Sequence, residues 1–339
     1  MNSRKRAFKT LKFSKPDRAP RNLWKLPWVD MFASGQAEQF QLEFPDDFIG
    51  PGQVLAKSEK AKGAAGHRGR YVDEWGCIWE CAEDGVVGEV VEPLLKNWSG
   101  LAKIKPPSEM IENADWDIVN RSQEENLNSS NPRFMLCGTT IRPFERMQFL
   151  RGTENLFMDL GLMDSRLQKL RDMVHGFFMT ELSCWVKTDC DGLSFMDDWG
   201  SQNSLLISPD LWRQFYKPLY KDYCDLIHST GKKVFFHSDG NIMAIYEDLI
   251  EIGVDAINSQ LFCMDINEIA SRYKGRITFW GEIDRQHILP FGTTEDVRNA
   301  VRSVRNALDD GNGGVIAQCE WGAKVPVENI RAVFKAWDE

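Results

Sequence analysis

No stretch of this chain reaches the ~18–20 uncharged apolar residues that a bilayer crossing needs, no C-x-x-C pair occurs, and no G-x-G-x-x-G follows a candidate strand. Each absence excludes something. The first removes membrane-spanning readings, and the last weakens a dinucleotide-binding fold. Basic charge is also short: 41 Lys and Arg face 50 Asp and Glu, a net charge of -9. A nucleic-acid partner, which needs a basic face, is not expected. The N-terminal MNSRKRAFKTLKF is basic but has no apolar core or small-residue cleavage site. It is therefore not a secretory signal, and with FSKPDRAP following so soon it makes a weak transit peptide. The expected location is cytoplasmic. Eight cysteines in such a chain read as free thiols or metal ligands, not as a disulfide framework. Cys77 and Cys81, in CIWEC, share one face of a candidate strand, where packing accounts for them.

What the sequence does contain is a rhythm. From about residue 132, short apolar runs rich in β-branched and aromatic residues recur: RFMLCGTT, GLSFMDD, KKVFFHSD, VDAINSQ, RITFWGEID and GGVIAQCE. Each is too short for a lone helix and reads as a buried strand. Segments of helical period lie between them. SPDLWRQFYKPLYKDYCDLIHSTG opens on a Ser-Pro-Asp start signal and stops at Gly231, and TTEDVRNAVRSVRNALDDG stops at Gly311. Strand alternating with helix predicts parallel βα units. The expected fold is α/β, a (β/α)8 TIM barrel in one domain spanning 1–339, with an open doubly wound sheet as the rival. Residues 132–339 supply the main barrel. Residues 1–100 form an N-terminal extension packed on it, carrying a β-hairpin over 71–94 around the Asp84-Gly85 turn.

In such a barrel the chemistry sits at the C-terminal ends of the strands. Here those ends are polar: Asp197-Asp198 with Gln202 close behind, His237-Ser238-Asp239, Ser259-Gln260, Glu282-Ile283-Asp284 and Cys319-Glu320. A carboxylate capping the next helix explains any one of them. Together, His237, Glu282 and Cys319 offer nitrogen, oxygen and sulfur from three strand ends, the donor types that hold Zn²⁺ with a position left open. Asp239 is a fourth candidate, because residues i and i+2 of a strand face the same way. The alternative is that His237 is an acid/base or hydrogen-bonded core histidine and Cys319 an inert thiol.

Longer stretches carry a resemblance. FSKPDRAPRNLW, DEWGCIWE, IRPFERMQFLRG, MDDWGSQNSLLISPDLWRQF, FFHSDGNI, LIEIGVDAINSQ, WGEIDRQHILPFGTTEDV and GGVIAQCEWGAKVPVENIRAV, nearly end to end, resemble the uroporphyrinogen decarboxylase superfamily, and within it the corrinoid-dependent methyltransferase branch. The resemblance implies the barrel already expected. It also implies a zinc site in which His237 and Cys319 match family ligands, while Asp239 stands where the first cysteine of a His-x-Cys pair would be. The glutamine-alanine-glycine-arginine block with which the decarboxylases grip carboxylates is absent. Oxygen in place of sulfur makes zinc a harder Lewis acid, suited to an ether-type methyl donor. The resemblance thus implies methyl transfer between a small donor, such as a methoxylated compound, and a corrinoid on a separate corrinoid-binding protein. His237, Glu282 and Asp198 would be the catalytic groups. Asp197, Asp198, Gln202, Gln260 and Arg142 would contact the substrate. Two alternatives stand beside this: a metal-free decarboxylase of a porphyrinogen or other carboxylate, for which Arg142 and Arg146 are the candidate anion binders, and a non-catalytic partner of a corrinoid protein.

Overall fold

A computed structural model describes residues 1–339. Eleven strands form in chain order: β1 (Arg21–Lys25), β2 (Phe48–Ile49), β3 (Gly69–Val72), β4 (Ile78–Cys81), β5 (Glu89–Glu92), β6 (Phe134–Gly138), β7 (Gly192–Met196), β8 (Lys233–Ser238), β9 (Ala256–Ser259), β10 (Thr278–Trp280) and β11 (Val315–Trp321). Eight of them make one parallel sheet in the order β1-β11-β10-β9-β8-β7-β6-β2, with helices between, a nearly closed (β/α)8 barrel. No helix is long and apolar enough to cross a membrane.

All six strands expected from 132 onward are present, and helix Thr294–Leu308 opens with a full capping box in which Thr293 and Asp296 satisfy each other's backbone. The expected long helix after Ser208 is interrupted at Tyr216, giving Pro209–Phe215 and Lys217–His228, the second with Pro218 in its first turn.

The first fifty residues do more than pack on the barrel. They contribute β1 and β2, so the ring cannot be built from 132–339 alone. Where these two strands meet, only one backbone bond crosses, from Asp47 N to Arg21 O at 2.9 Å. The amides of Arg21 and Leu23 instead donate to the carboxylates of Asp47 and Asp46, at 2.7 and 2.9 Å. The hairpin region holds three strands, the antiparallel sheet β3-β4-β5, with Asp84-Gly85 between β4 and β5. Arg146, buried, clamps this small sheet to the barrel through Asp73 at 2.8 Å and Glu74. It is therefore spent on structure and is no anion binder.

Strand parity divides the apolar residues into two layers. Phe48, Phe134, Phe235, Ala256, Trp280 and Ile316 pack together inside the ring, with Ala7 and Leu11 of helix Ser3–Leu11 beneath them. Their sequence neighbours Met135, Phe236, Ile257, Phe279, Val315 and Ala317 belong to the larger layer between ring and helices. The alternation decides which polar side chains reach the mouth.

Candidate functional site

Counting in twos from Phe235 brings His237 and then Asp239 to the inside, above the aromatic plug. The same count from Ala256 brings in Asn258 and Gln260, and from Ile316 it brings in Gln318 and Glu320. Cys319 falls on the other face. It is completely buried in the layer between ring and helices, with Ala317 and Trp321. Burial first, then Asp46, Glu320 and Glu282, hold its thiol well above the ordinary range. The expected convergence of His237, Glu282 and Cys319 therefore does not occur, because a shift of one residue along a strand reverses the side chain's direction.

The carboxylate that joins His237 and Asp239 is Asp198. Ligand atoms of Asp198, His237 and Asp239 lie within 4.8 Å of one another. His237 Nε2 is 3.4 Å from Asp239 Oδ1 and 3.6 Å from Asp198 Oδ1. Asp239 Oδ1 is buried and has no hydrogen-bond partner. On the far side of the ring, His237 Nδ1 is 2.6 Å from Asn258 Oδ1. The Asn258 amide donates to Trp280 O and, at 3.1 Å, to Gln318 Oε1, so its oxygen is the end left to accept. Nδ1 must then carry a proton, and Nε2, the nitrogen that bears the lone pair in the neutral ring, is the one that faces the two carboxylates. One nitrogen and two oxygens around an unfilled polar point fit a divalent cation.

Two glycines bring these loops together. Gly200 N donates to Asp239 O at 2.9 Å, and Asp239 N donates to Asp198 Oδ1 at 2.9 Å. A Cβ on Gly240, whose φ is +76°, would lie 2.2 Å from Gly200 O, so the two backbones meet where no side chain fits. Gln260 holds the same turn, accepting from Gly240 N at 3.0 Å. It positions the loop that carries Asp239 and is already occupied. Gln202 is exposed on the loop after β7, beside Cys263 and outside the three-residue group. Asp197 is fully buried. Its carboxylate accepts from Phe144 N at 2.7 Å, Glu145 N at 2.8 Å and Tyr220 Oη at 2.6 Å. It caps helix Pro143–Arg151, which precedes β7, rather than the next helix as expected, so Asp197 is a structural cap and not a substrate contact.

Glu282 is buried at the mouth but stands apart from the three-residue group. Its nearest charged partner is Arg285, Nε to Oε1 3.9 Å. Burial raises its carboxyl well above the ordinary range despite Arg285. Arg285 also bonds Asp239 and reaches Glu320 at 2.9 Å. Burial pulls the guanidinium down, yet Glu282, Asp239 and Glu320 together raise it. Asp198 is raised by burial and then by Asp239, with His237 opposing. Glu145, next to Arg142, is pushed up to about 7 by burial and then by Asp198. Trp24, half-buried, walls the mouth with its ring centroid 5.2 Å from that of His237. Arg142, half-buried, makes no side-chain hydrogen bond and no ion pair.

Asn258, Arg285 and Trp24 were not singled out by sequence reasoning. The signal for Asn258 was its place two residues before Gln260 on the same strand face. That for Arg285 was the excess of carboxylates at neighbouring strand ends, which burial cannot tolerate without a cation.

Among solved structures, a methyltransferase from Methanosarcina mazei superposes with a TM-score of 0.72 at 15% identity, over 100% of this chain and 98% of that one. An endo-beta-1,4-xylanase from Gloeophyllum trabeum gives 0.48 at 10% identity, over 97% and 99%. No curated protein sequence matches. The model of the family described as uroporphyrinogen decarboxylase (URO-D) matches residues 73–339, and with the barrel and its polar mouth this establishes that the chain belongs to the uroporphyrinogen decarboxylase family.

Proposed function

We propose that this protein is a methyltransferase that moves a methyl group from a small methoxylated donor to a corrinoid carried by a separate protein, with zinc held by His237, Asp198 and Asp239. The observation that carries the reading is Nε2 of His237 facing, at 3.4 Å, the buried Oδ1 of Asp239, which accepts no hydrogen bond, with Asp198 Oδ1 at 3.6 Å beside it. Such a pair is costly to bury unless something binds between them. When bound, the ion would supply Lewis acidity to the ether oxygen, and the reduced corrinoid of the partner protein would supply the electron pair that takes the methyl carbon. The carbon–oxygen bond breaks, and the oxygen leaves with its electron pair. Glu282, whose carboxyl burial raises well above the ordinary range, is placed at the mouth to hand a proton to this oxygen. Asn258 fixes the His237 tautomer, and the Gly200–Gly240 contact holds Asp198 and Asp239 at one distance. Arg285 neutralises Glu320 and steadies Asp239 from the side away from His237. With Cys319 outside the ring no thiolate enters the site, which favours activation of an oxygen-bound methyl group over activation of a thiol.

The likeness to the Methanosarcina mazei methyltransferase extends over the whole chain and supports the same reading. A porphyrinogen decarboxylase is less well supported. Its substrate carries many carboxylates, whereas Arg146 is tied to Asp73 and Glu74 and Arg285 to Asp239, Glu320 and Glu282, which leaves Arg142 alone of the candidate anion binders.

The test is zinc content of the purified protein, followed by spectroscopic assay of methyl transfer from methoxylated donors to a reduced corrinoid. About one zinc per chain and turnover that His237→Ala abolishes are expected. Turnover without metal, or a fully metallated protein inert with every donor and corrinoid supplied, overturns the reading.

A further inference from the structure

Resting on that reading, we propose that the methyl donor seats the rest of its molecule in a recess inside the ring, against β6 and β7. The group held there is uncharged and apolar, and Gly138 sets how large it can be. The aromatic plug draws side chains from β2, β6, β8, β9, β10 and β11, and none from β7. At the plug's level β7 offers only Ser194, paired with Phe235, and two residues further on Met196, paired with His237. The ring is therefore filled unevenly. On the far side the inward residues are sealed: Asn258, Gln318 and Ile316 are 0% exposed and Trp280 2%. Leu136, Ser194 and Met196 are only half-buried, and Gly138 is exposed. The open space inside the ring thus lies on one side and reaches past His237 to the level of Phe235.

Neither backbone nor packing accounts for Gly138. It lies outside the left-handed region, and a Cβ on it would meet only Ser194 Oγ, at 3.8 Å, an ordinary contact distance. Because Gly138 pairs with Ser194, that Cβ would point into the ring beside the Ser194 side chain. A glycine inside a strand weakens it, and where a side chain would fit, the space left is room for a ligand. The walls decide what that ligand is. Leu136 and Met196 are apolar, and the one hydroxyl, Ser194 Oγ, is 3.5 Å from Cys137 O. No inward residue of β6 or β7 before Asp198 carries a charge. A charged group would lose its water there without finding a partner, whereas burial favours an apolar one. Since Met196 is the neighbour of His237 across the sheet, a group lying in the recess would bring its ether oxygen up beside the imidazole.

Titration of the zinc-loaded full-length protein with methoxybenzene, followed by ligand-detected NMR, tests this. Anionic methoxyacetate and cationic choline are the charged comparison probes and should bind more weakly. Gly138→Val should weaken methoxybenzene binding by about 10–100-fold. In the methyl-transfer assay the ratio of kcat/KM for methoxybenzene to that for dimethyl ether should fall by a similar factor. Met196→Ala enlarges the same space and should raise the ratio for methoxynaphthalene over methoxybenzene by about 10-fold. Gly138 is unstrained and has room, so the Val variant should keep the parent's circular dichroism. Gly138→Ala, with a smaller effect in the same direction, serves if it does not. The proposal is overturned if methoxybenzene does not bind the parent, if the folded Gly138 variant binds it undiminished, or if methoxyacetate or choline binds as tightly. The two readings fail separately. Gly138-dependent binding of methoxybenzene without methyl transfer removes the proposed function and leaves the recess. Methyl transfer whose donor ratio ignores Gly138→Val does the reverse.

Discussion

His237 Nδ1 donates to Asn258 Oδ1 across 2.6 Å, and this one bond decides which imidazole nitrogen faces the mouth. Asn258→Leu removes the acceptor and frees the ring to turn or change tautomer. Loss of such an outer partner typically costs 10–100-fold in metal affinity. Zinc competition against a chromophoric chelator should show a loss of about that size, and Asn258→Asp, which keeps an acceptor, should restore most of it. Equal affinity in the Leu variant would mean that Asn258 does not orient the ligand.

The direction of Cys319 yields a sharper contrast. His237→Ala and Asp239→Ala should each bring zinc close to background and lower methyl transfer by more than about 100-fold. Cys319→Ala should keep both, because the thiol lies outside the ring, and should cost only about 1 kcal/mol of stability from the small cavity left behind. A Cys319→Ala protein lacking zinc would return sulfur to the ligand set.

Gly240→Ala should damage the site more than the fold. Its new methyl group would sit 2.2 Å from Gly200 O, at a φ of +76° that alanine seldom adopts, so the two loops must separate. We expect a loss of roughly 1–3 kcal/mol in thermal unfolding together with weakened zinc binding, since Asp198 and Asp239 ride on those loops. Unchanged zinc affinity would show that the loops yield without moving the carboxylates.

The seam between β1 and β2 predicts a dependence on pH. Burial pushes Asp46 up to about 7, against the hydrogen bonds it accepts from Leu23 N and Gln41. In the unfolded chain the same group titrates near 4. The folded state therefore holds the proton more tightly, and this stabilisation is complete below about pH 4 and lost as pH rises toward 7. Asp46→Asn keeps an acceptor for Leu23 N and removes the titration. The variant should exceed the parent by about 4 kcal/mol at pH 8 and converge with it near pH 4. A constant difference across that range would place the titration elsewhere.

Much of the ring was legible in the sequence because buried parallel strands are short apolar runs between capped helices, a local signal. The positions of His237 and Asp239 followed from the same local parity. Asp198 was named as a catalytic group and substrate contact but not as a companion of His237 and Asp239 in the metal set, because its approach to His237 depends on two loops meeting at glycines forty residues apart. Cys319 misled for the opposite reason. The strand end was located correctly, but its phase is set by Ile316 packing inside the ring, and nothing within GGVIAQCE fixes that. Asp197 and Asp198 look equivalent in sequence. Only the position of helix Pro143–Arg151 makes one a cap and leaves the other at the mouth. β2 was missed because it is only two residues long, and β1 because it lies far from the repeating part of the chain.

The pairing of β1 with β11 aligns Arg21 with Ala317. The first strand of the ring and the last are therefore neighbours in space though almost the whole chain separates them. During synthesis Trp24 must wait beside an open edge until Glu320 has been made. The mouth, which needs both walls, is then completed only once β11 is in place. Loop closure over such a separation is slow, and until it happens β1 and β10 each present an unpaired edge able to recruit another chain. A chain ending before Val315 would keep His237, Asp198 and Asp239 and still lack an enclosed site, so damage near the C-terminus should appear first as aggregation and only afterwards as lost activity.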